Sequence, residues 1–206
     1  MRKSFILIGA LLIFLSTQTA FVYSAGTVAR AFRASYRYEK MGAYQDAIKA
    51  LLPVYKEHPR FYLVNLRLGW LYYLSGKYRN SIKYYKQAIE IRPNSFEAIL
   101  GLSLPLMAQK NWSEVERLMN QIVSQDFYNY YANLRLAIAL RLQNKARLAE
   151  RVSRKMLVRY PTSLDFLVEL GRDLLWEGKK DEAKRVFREV LLLDPENVVA
   201  REVLKK

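Results

Sequence analysis

The chain has 206 residues, and its 34 basic side chains outnumber 19 acidic ones, which gives a formal charge of +15. Hydrophobic residues make up 51% of the sequence, enough to fill a core. The absence of cysteine excludes disulfides and thiol chemistry, and the single histidine, His58, has no second histidine with which to bind a metal. We therefore expect no catalytic constellation, no metal site and no cofactor. The charge bears on the choice of partners rather than on the fold.

The first 25 residues have the pattern of a secretory signal. Two basic residues precede an apolar run of eleven residues at positions 5–15, and four polar residues at 16–19 end it. Eleven residues are too few to span about 30 Å of hydrocarbon as a helix. We expect residues 1–25 to be a signal peptide and the mature chain to be periplasmic or otherwise extracytoplasmic. An uncleaved anchor, with membrane association through residues 5–25, stays open, and the four basic residues soon after the run weaken the prediction of export.

A period of 34 residues runs through the rest of the chain. One slot of this period holds Pro59, Pro93, Pro161 and Pro195, and Phe127 stands where a proline is missing. A second slot holds only small residues, namely Ser35, Gly69, Ser103, Ala137 and Gly171. A fixed period of this length, without insertions, predicts a stacked array of one supersecondary unit.

Each repeat contains two helical patterns. With positions counted from residues 28, 62, 96, 130 and 164, positions 4, 7, 8 and 11 form one face of a first helix, and positions 20, 24 and 27 form one face of a second. In the second repeat Gly76 separates the two patterns, Pro93 ends the second, and Asn94 or Ser95 can cap the next helix. Small residues at positions 8 and 20 let the backbones approach closely. The sequence therefore predicts antiparallel helix pairs.

These residues resemble the tetratricopeptide repeat (TPR) family. The second repeat matches the family pattern at Leu68, Gly69, Tyr72, Gly76, Tyr78, Ser81, Tyr85, Ala88 and Pro93. The resemblance implies an all-α fold, a right-handed superhelical α-solenoid of helix-turn-helix repeats. Five repeats are expected, at 28–61, 62–95, 96–129, 130–163 and 164–197, followed by a capping helix at 198–206.

The third repeat departs furthest from the family pattern. Lys110 replaces the turn glycine, Phe127 replaces the proline, and Pro105 lies within the first helix, where proline removes a hydrogen bond and typically kinks the helix. A functional hinge and simple sequence drift are both compatible with this degeneracy.

In the TPR family the first helix of each repeat lines the concave face. Beside the core stripe this face carries arginines and aromatic rings, which are enriched at binding hot spots: Arg33, Tyr36, Arg67, Trp70, Tyr73, Tyr131, Arg135, Arg141, Arg172 and Trp176. We expect these residues to form a groove for an extended partner segment, with arginines pairing the carboxylates of an acidic peptide. In the alternative interpretation the rings pack between repeats, and the arginines pair with Glu39 and with water.

The second helix of repeat four is strongly basic. Against one acid, Glu150, it carries Lys145, Arg147, Arg151, Arg154, Lys155 and Arg159. We expect a basic patch on the convex face, which either contacts an anionic lipid surface or polymer or is merely solvated. Nucleic acid is a poor fit for an exported chain without a recognition motif.

The leading functional hypothesis is a non-enzymatic, exported TPR scaffold for protein–protein interactions, acting in cell-envelope assembly or secretion. The repeats occupy nearly all of the mature chain and leave no room for a catalytic domain. The alternative hypothesis is direct binding of an anionic polymer or membrane surface through the basic convex face.

Overall fold

The computed structural model describes residues 26–205, so the predicted signal peptide lies outside the described residues. Residues 26–205 form eleven α-helices and no strand. Helix α1 spans residues 26–40, and the others are α2 Tyr44–Glu57, α3 Tyr62–Leu74, α4 Tyr78–Ile91, α5 Phe96–Ala108, α6 Trp112–Val123, α7 Tyr130–Arg141, α8 Ala146–Arg159, α9 Leu164–Trp176, α10 Lys180–Leu193 and α11 Val198–Leu204. None of these helices is both long enough and apolar enough to cross a membrane.

The helices begin on the 34-residue grid. From the second repeat onward, successive first helices and α11 start at Tyr62, Phe96, Tyr130, Leu164 and Val198, and the second helices start at Tyr44, Tyr78, Trp112, Ala146 and Lys180. From α2 onward each helix packs against the next. The buried clusters overlap along the array, because Trp70 packs against both the cluster of repeats one and two and that of repeats two to four. The prediction of an all-α solenoid of helix-turn-helix repeats is confirmed.

The turn inside each repeat places one residue in the left-handed conformation. Glycine takes this slot in three repeats, for example Gly76 with φ of 71°, whereas Lys110 (φ 57°) and Asn144 (φ 61°) take it in repeats three and four. The left-handed conformation costs a residue with a Cβ roughly 1–2 kcal/mol, and asparagine tolerates it better than most. The third repeat therefore keeps the turn of its neighbours with local strain at Lys110.

The two helices of a repeat approach closely at position 8. A Cβ atom on Gly171 would lie 2.6 Å from Cζ of Phe187, too close for any side chain. In the second repeat the Ser81 hydroxyl donates to the carbonyl of Gly69 at 2.7 Å. These contacts confirm that the small residues are there for packing.

The third repeat keeps the register of the array despite its degenerate sequence. Helix α5 continues through Pro105, and α6 has 12 residues, whereas the other second helices have 14. Phe127 makes the same hydrogen bond as the proline of another repeat. Its carbonyl accepts from the Asn133 side-chain amide at 3.1 Å, just as the Pro59 carbonyl accepts from Asn65 at 2.8 Å. The repeats on either side therefore stack without a break.

Candidate functional site

A cavity of about 450 Å³ opens on the face formed by the first helices, here called the concave face. Helices α1, α3 and α5 supply most of its lining, α4 supplies Tyr85 and α7 supplies Arg135. The remaining lining residues are Phe32, Tyr36, Leu63, Leu66, Arg67, Trp70, Glu97, Leu100, Gly101 and Leu104. Its volume falls in the range of about 300–1,000 Å³ that is usual for ligand pockets, and the mixture of apolar lining and few polar groups is also usual.

At the N-terminal end of the concave face, an ion pair joins repeats one and two. Arg67 is buried, pairs with Glu39, and has its guanidinium 3.7 Å from the centre of the Tyr36 ring. The Trp70 indole N–H donates to Glu39 at 2.6 Å. Glu39 thus engages both Arg67 and Trp70 within the array, while Nε of Arg67 has no hydrogen-bond partner among residues 26–205.

At the C-terminal end of the concave face, a second buried network of charged side chains joins repeats four and five. Arg141 lies 2.5 Å from Glu169 and 3.0 Å from Asp173. Arg172 pairs with Glu169 at 2.6 Å, and the Ser153 hydroxyl donates to Asp173 at 3.0 Å. Burial raises the pKa of Asp173 to about 7, although Ser153 and Arg141 both favour its ionised form.

Among residues 26–205, the middle of the concave face has no such ion pair. Both pairs join position 12 of one repeat to position 6 of the next, 28 residues further along the chain. Between repeats two and three the same register places Tyr73 opposite Gly101. In the next repeat Arg135 has no carboxylate partner among the described residues; its Nη1 donates to the Leu100 carbonyl at 2.5 Å and to the Ser103 hydroxyl at 2.7 Å. Burial lowers the pKa of Arg135.

The cavity gathers four of the ten predicted groove residues: Tyr36, Arg67, Trp70 and Arg135. The other six lie along the first helices without lining it: Arg33, Tyr73, Tyr131, Arg141, Arg172 and Trp176. Three of these are exposed: Arg33, Tyr131 at 59% and Trp176 at 52%. The predicted groove thus contains this cavity and two ends at which arginines form ion pairs within the array.

Tyr85 was missed by sequence reasoning because it belongs to a second helix. Its side chain is 3% exposed, and a Cβ atom on Gly101 would lie 2.2 Å from its Cε1. The ring therefore occupies the space that a side chain at position 6 would need. The sequence did contain an indication of this arrangement: position 6 is a glycine in the third repeat, whereas the other four repeats carry an arginine or a glutamate there.

The predicted convex patch is paired to a large extent with neighbouring repeats. Three of its cations contact carboxylates of repeats three and five, at Lys145–Glu116 (2.7 Å), Arg147–Glu177 (3.9 Å) and Arg154–Glu182. The net charges of repeats three, four and five are −2, +7 and −3, so the basic repeat lies between two acidic ones. Much of its charge is therefore complemented by its neighbours.

Lys155 differs from the expectation of an outward-facing cation. It is half-buried, its ammonium donates to Asn133 at 2.5 Å and to the Phe127 carbonyl at 3.2 Å, and burial lowers its pKa. Arg151 and Arg159 are exposed and have no ion-pair partner among the described residues. These two side chains and Arg147, which is 92% exposed, are the members of the predicted patch that are most accessible.

The repeated helix pairs and their exposed concave face define an α-solenoid scaffold. Within this class, a sequence model of the tetratricopeptide repeat family matches residues 64–95, which, with the fold, confirms the resemblance to TPR proteins. The chain is also 34% identical over 59 residues to the human protein O-mannosyl-transferase TMTC1. That match covers 29% of this chain and 7% of TMTC1, so the chain spans only a small part of that relative.

Solved structures share the fold over most of the chain. MamA residues 41 to the end, from Desulfovibrio magneticus RS-1, has a TM-score of 0.76 at 16% identity, covering 84% of this chain and 97% of that one. YrrB, described as a TPR protein with an unusual peptide-binding site, has a TM-score of 0.72 at 10% identity, covering 85% of this chain and 91% of that one. At such identities the likeness shows the fold alone.

Proposed function

We propose that this protein is a non-enzymatic scaffold outside the cytoplasm, acting in cell-envelope assembly or secretion, and that it binds an extended partner segment on its concave face. The observation that carries the proposal is the cavity lined by Tyr36, Trp70, Leu104 and Arg135. The TPR fold is consistent with protein–protein interaction. Export and the envelope role are supported by the sequence pattern of residues 1–25 and stay proposals.

An acidic partner segment suits the charge around the cavity. Repeats one and two carry net charges of +4 and +5. Arg33 is exposed, and Arg135 has no carboxylate partner among the described residues. Guanidinium groups bind carboxylates through charge-assisted, often bidentate hydrogen bonds. A segment with aspartate or glutamate beside its apolar residues therefore complements this surface.

The convex face is the weaker candidate for the binding surface. Lys145, Arg147 and Arg154 are already paired with carboxylates, and Lys155 is turned inward. Binding of an anionic lipid surface or polymer there would depend on few open cations or would require some of these ion pairs to break.

Site-specific crosslinking tests the choice of face. A photo-crosslinking amino acid is placed in the full chain at Leu63, which is 48% exposed and lines the cavity, or at Arg151, which is exposed on α8. We expect protein adducts in the native envelope from position 63, and their loss when a short polyglutamate peptide is present in excess. Adducts from position 151 alone would instead support the convex face. The absence of adducts at both positions would contradict protein binding at either face.

Export has a separate test. Cell fractionation with N-terminal sequencing of the mature protein should find it outside the cytoplasm and starting near residue 26 if the signal is cleaved. Recovery from the cytoplasm would refute the proposed compartment and leave the proposal about the concave face standing.

A further inference from the structure

We propose that the cavity at Gly101 is a specificity pocket for one large apolar side chain of the partner, of leucine or phenylalanine size, and that Arg135 binds a carboxylate next to that side chain. The inference rests on the proposed function, in which the concave face binds a partner segment. It adds the chemistry by which that segment is selected.

The lining of the cavity argues for an apolar occupant. Leu66, Trp70, Leu100 and Leu104 supply apolar surface from two successive first helices, and the ring of Tyr85 lies beneath Gly101. Burial of such surface is the main favourable contribution to most protein associations. A partner segment without a large apolar side chain would leave this surface in contact with water.

The cavity exists because the ion-pair register of the array is interrupted there. Positions 12 and 6 of successive repeats are joined by Glu39 and Arg67 at one end of the face and by Arg141 and Glu169 at the other. At Gly101 no side chain occupies position 6, and any Cβ atom would clash with the Tyr85 ring. The Tyr85 ring of α4 therefore takes the place of a position-6 side chain on α5 and forms part of the cavity wall.

Polar donors around the cavity match a carboxylate or a backbone carbonyl of the partner. Among the described residues, the buried Nε of Arg67 has no hydrogen-bond partner. Within residues 26–205, Arg135 donates to neutral acceptors only, namely the carbonyl of Leu100 and the hydroxyl of Ser103. A guanidinium offers only donors, so an oxygen acceptor is the group that would satisfy these residues.

Two matched variants test the pocket: one should fill it, and the other adds the same side chain outside it. Leu104 and Ile138 both occupy position 9, in repeats three and four, and both are half-buried, but only Leu104 lines the cavity. Leu104→Trp should fill the pocket, and Ile138→Trp adds the same side chain one repeat away. Circular dichroism shows whether each variant keeps the helical content of the wild type.

The probe is a phage-displayed library of random twelve-residue peptides, selected on the full chain and on both variants. We expect enrichment of peptides with Leu, Phe, Ile, Met or Trp at one fixed place beside Asp or Glu. Leu104→Trp should lose this enrichment and Ile138→Trp should keep it. Changing the fixed apolar residue of a selected peptide to alanine should weaken its binding to the wild-type chain by about tenfold or more, because burial of such a side chain is worth about 1.5–3 kcal/mol. This measurement needs no protein variant, so it decides the matter if Leu104→Trp fails to fold.

The possible outcomes separate the pocket from the wider function. Enriched peptides without an apolar preference, or alanine peptides that bind equally well, would overturn the pocket while leaving binding on the concave face in place. Enrichment that Leu104→Trp retains would also overturn the pocket. No enrichment on any of the three proteins would overturn both the pocket and the proposed function.

Discussion

The network around Arg141 leads to a stability prediction with a distinctive pH dependence. In Arg141→Met two carboxylates lose the cation they share, Glu169 with 5% and Asp173 with 0% of the side chain exposed. Removing one partner of a buried ion pair typically costs about 3–5 kcal/mol. Asp173 is the carboxylate left without a cation, since Glu169 keeps its pair with Arg172. We expect Arg141→Met to lower the free energy of unfolding by about that amount at pH 8. At pH 5.5 the loss should be smaller, because burial already raises the pKa of Asp173 to about 7 and its carboxyl group is then protonated.

Urea denaturation of the full chain, followed by circular dichroism at pH 8 and pH 5.5, measures this loss. The matched control is Arg147→Met, because Arg147 is 92% exposed and lies 3.9 Å from Glu177. Such surface pairs contribute about 0–1 kcal/mol, so the control should change little. A loss below about 1 kcal/mol for Arg141→Met at pH 8, or an equal loss at both pH values, would refute the reasoning about this buried network.

Three further predictions concern single residues and use the same denaturation assay. Because the pKa of Asp173 is raised, the folded state binds the proton of this carboxyl group more tightly than the unfolded state does. Protonation of Asp173 should therefore add up to about 3 kcal/mol to the free energy of unfolding as the pH falls from 8 to 5. Asp173→Asn should abolish that gain. Lys110→Gly should stabilise by about 0.5–1 kcal/mol by relieving a left-handed residue, whereas Asn144→Gly should be close to neutral; equal effects would contradict the strain at Lys110. Asn129→Ala should destabilise by about 1 kcal/mol, because the Asn129 side chain accepts from the Ala132 N–H at 3.0 Å, and an unchanged midpoint would show that this cap is dispensable.

The periodicity of the sequence was sufficient to predict the scaffold. Helices separated by 34 residues must present the same face to their neighbours, so residues such as Gly69 and Ala88 were predictable as packing positions from spacing alone. Even the degenerate third repeat follows the grid, since Trp112 starts α6 where Tyr78 starts α4. The helix propensity of each segment and the 34-residue period predict the same structure, and for this reason the sequence was enough to predict the fold.

The candidate site was less predictable because its ion pairs cross from one repeat to the next. Arg67 and Glu39, like Arg141 and Glu169, are 28 residues apart, a separation at which single-helix spacing rules say nothing. Charges counted within one repeat therefore do not reveal pairing across the stack, although the alternative interpretation did name Glu39 as a partner of the arginines. A search for opposite charges 28 residues apart, from position 12 of one repeat to position 6 of the next, would have found these pairs.

The cavity escaped sequence reasoning for a different reason. Gly101 has no side chain, and its importance is that the ring of Tyr85 from the preceding repeat takes the space beside it. Such an absence has meaning only once the ring of the preceding repeat has been placed. The cavity then lies between the two ion-paired ends of the concave face, as the register of the repeats requires.

The most direct test of partner binding on the concave face is to identify what becomes crosslinked to position 63 in the native envelope. Mass spectrometry of the adduct should locate the crosslink in a partner segment with a large apolar residue next to aspartate or glutamate. A partner labelled only from position 151 on the convex face, with position 63 unlabelled, would contradict binding in the cavity at Gly101.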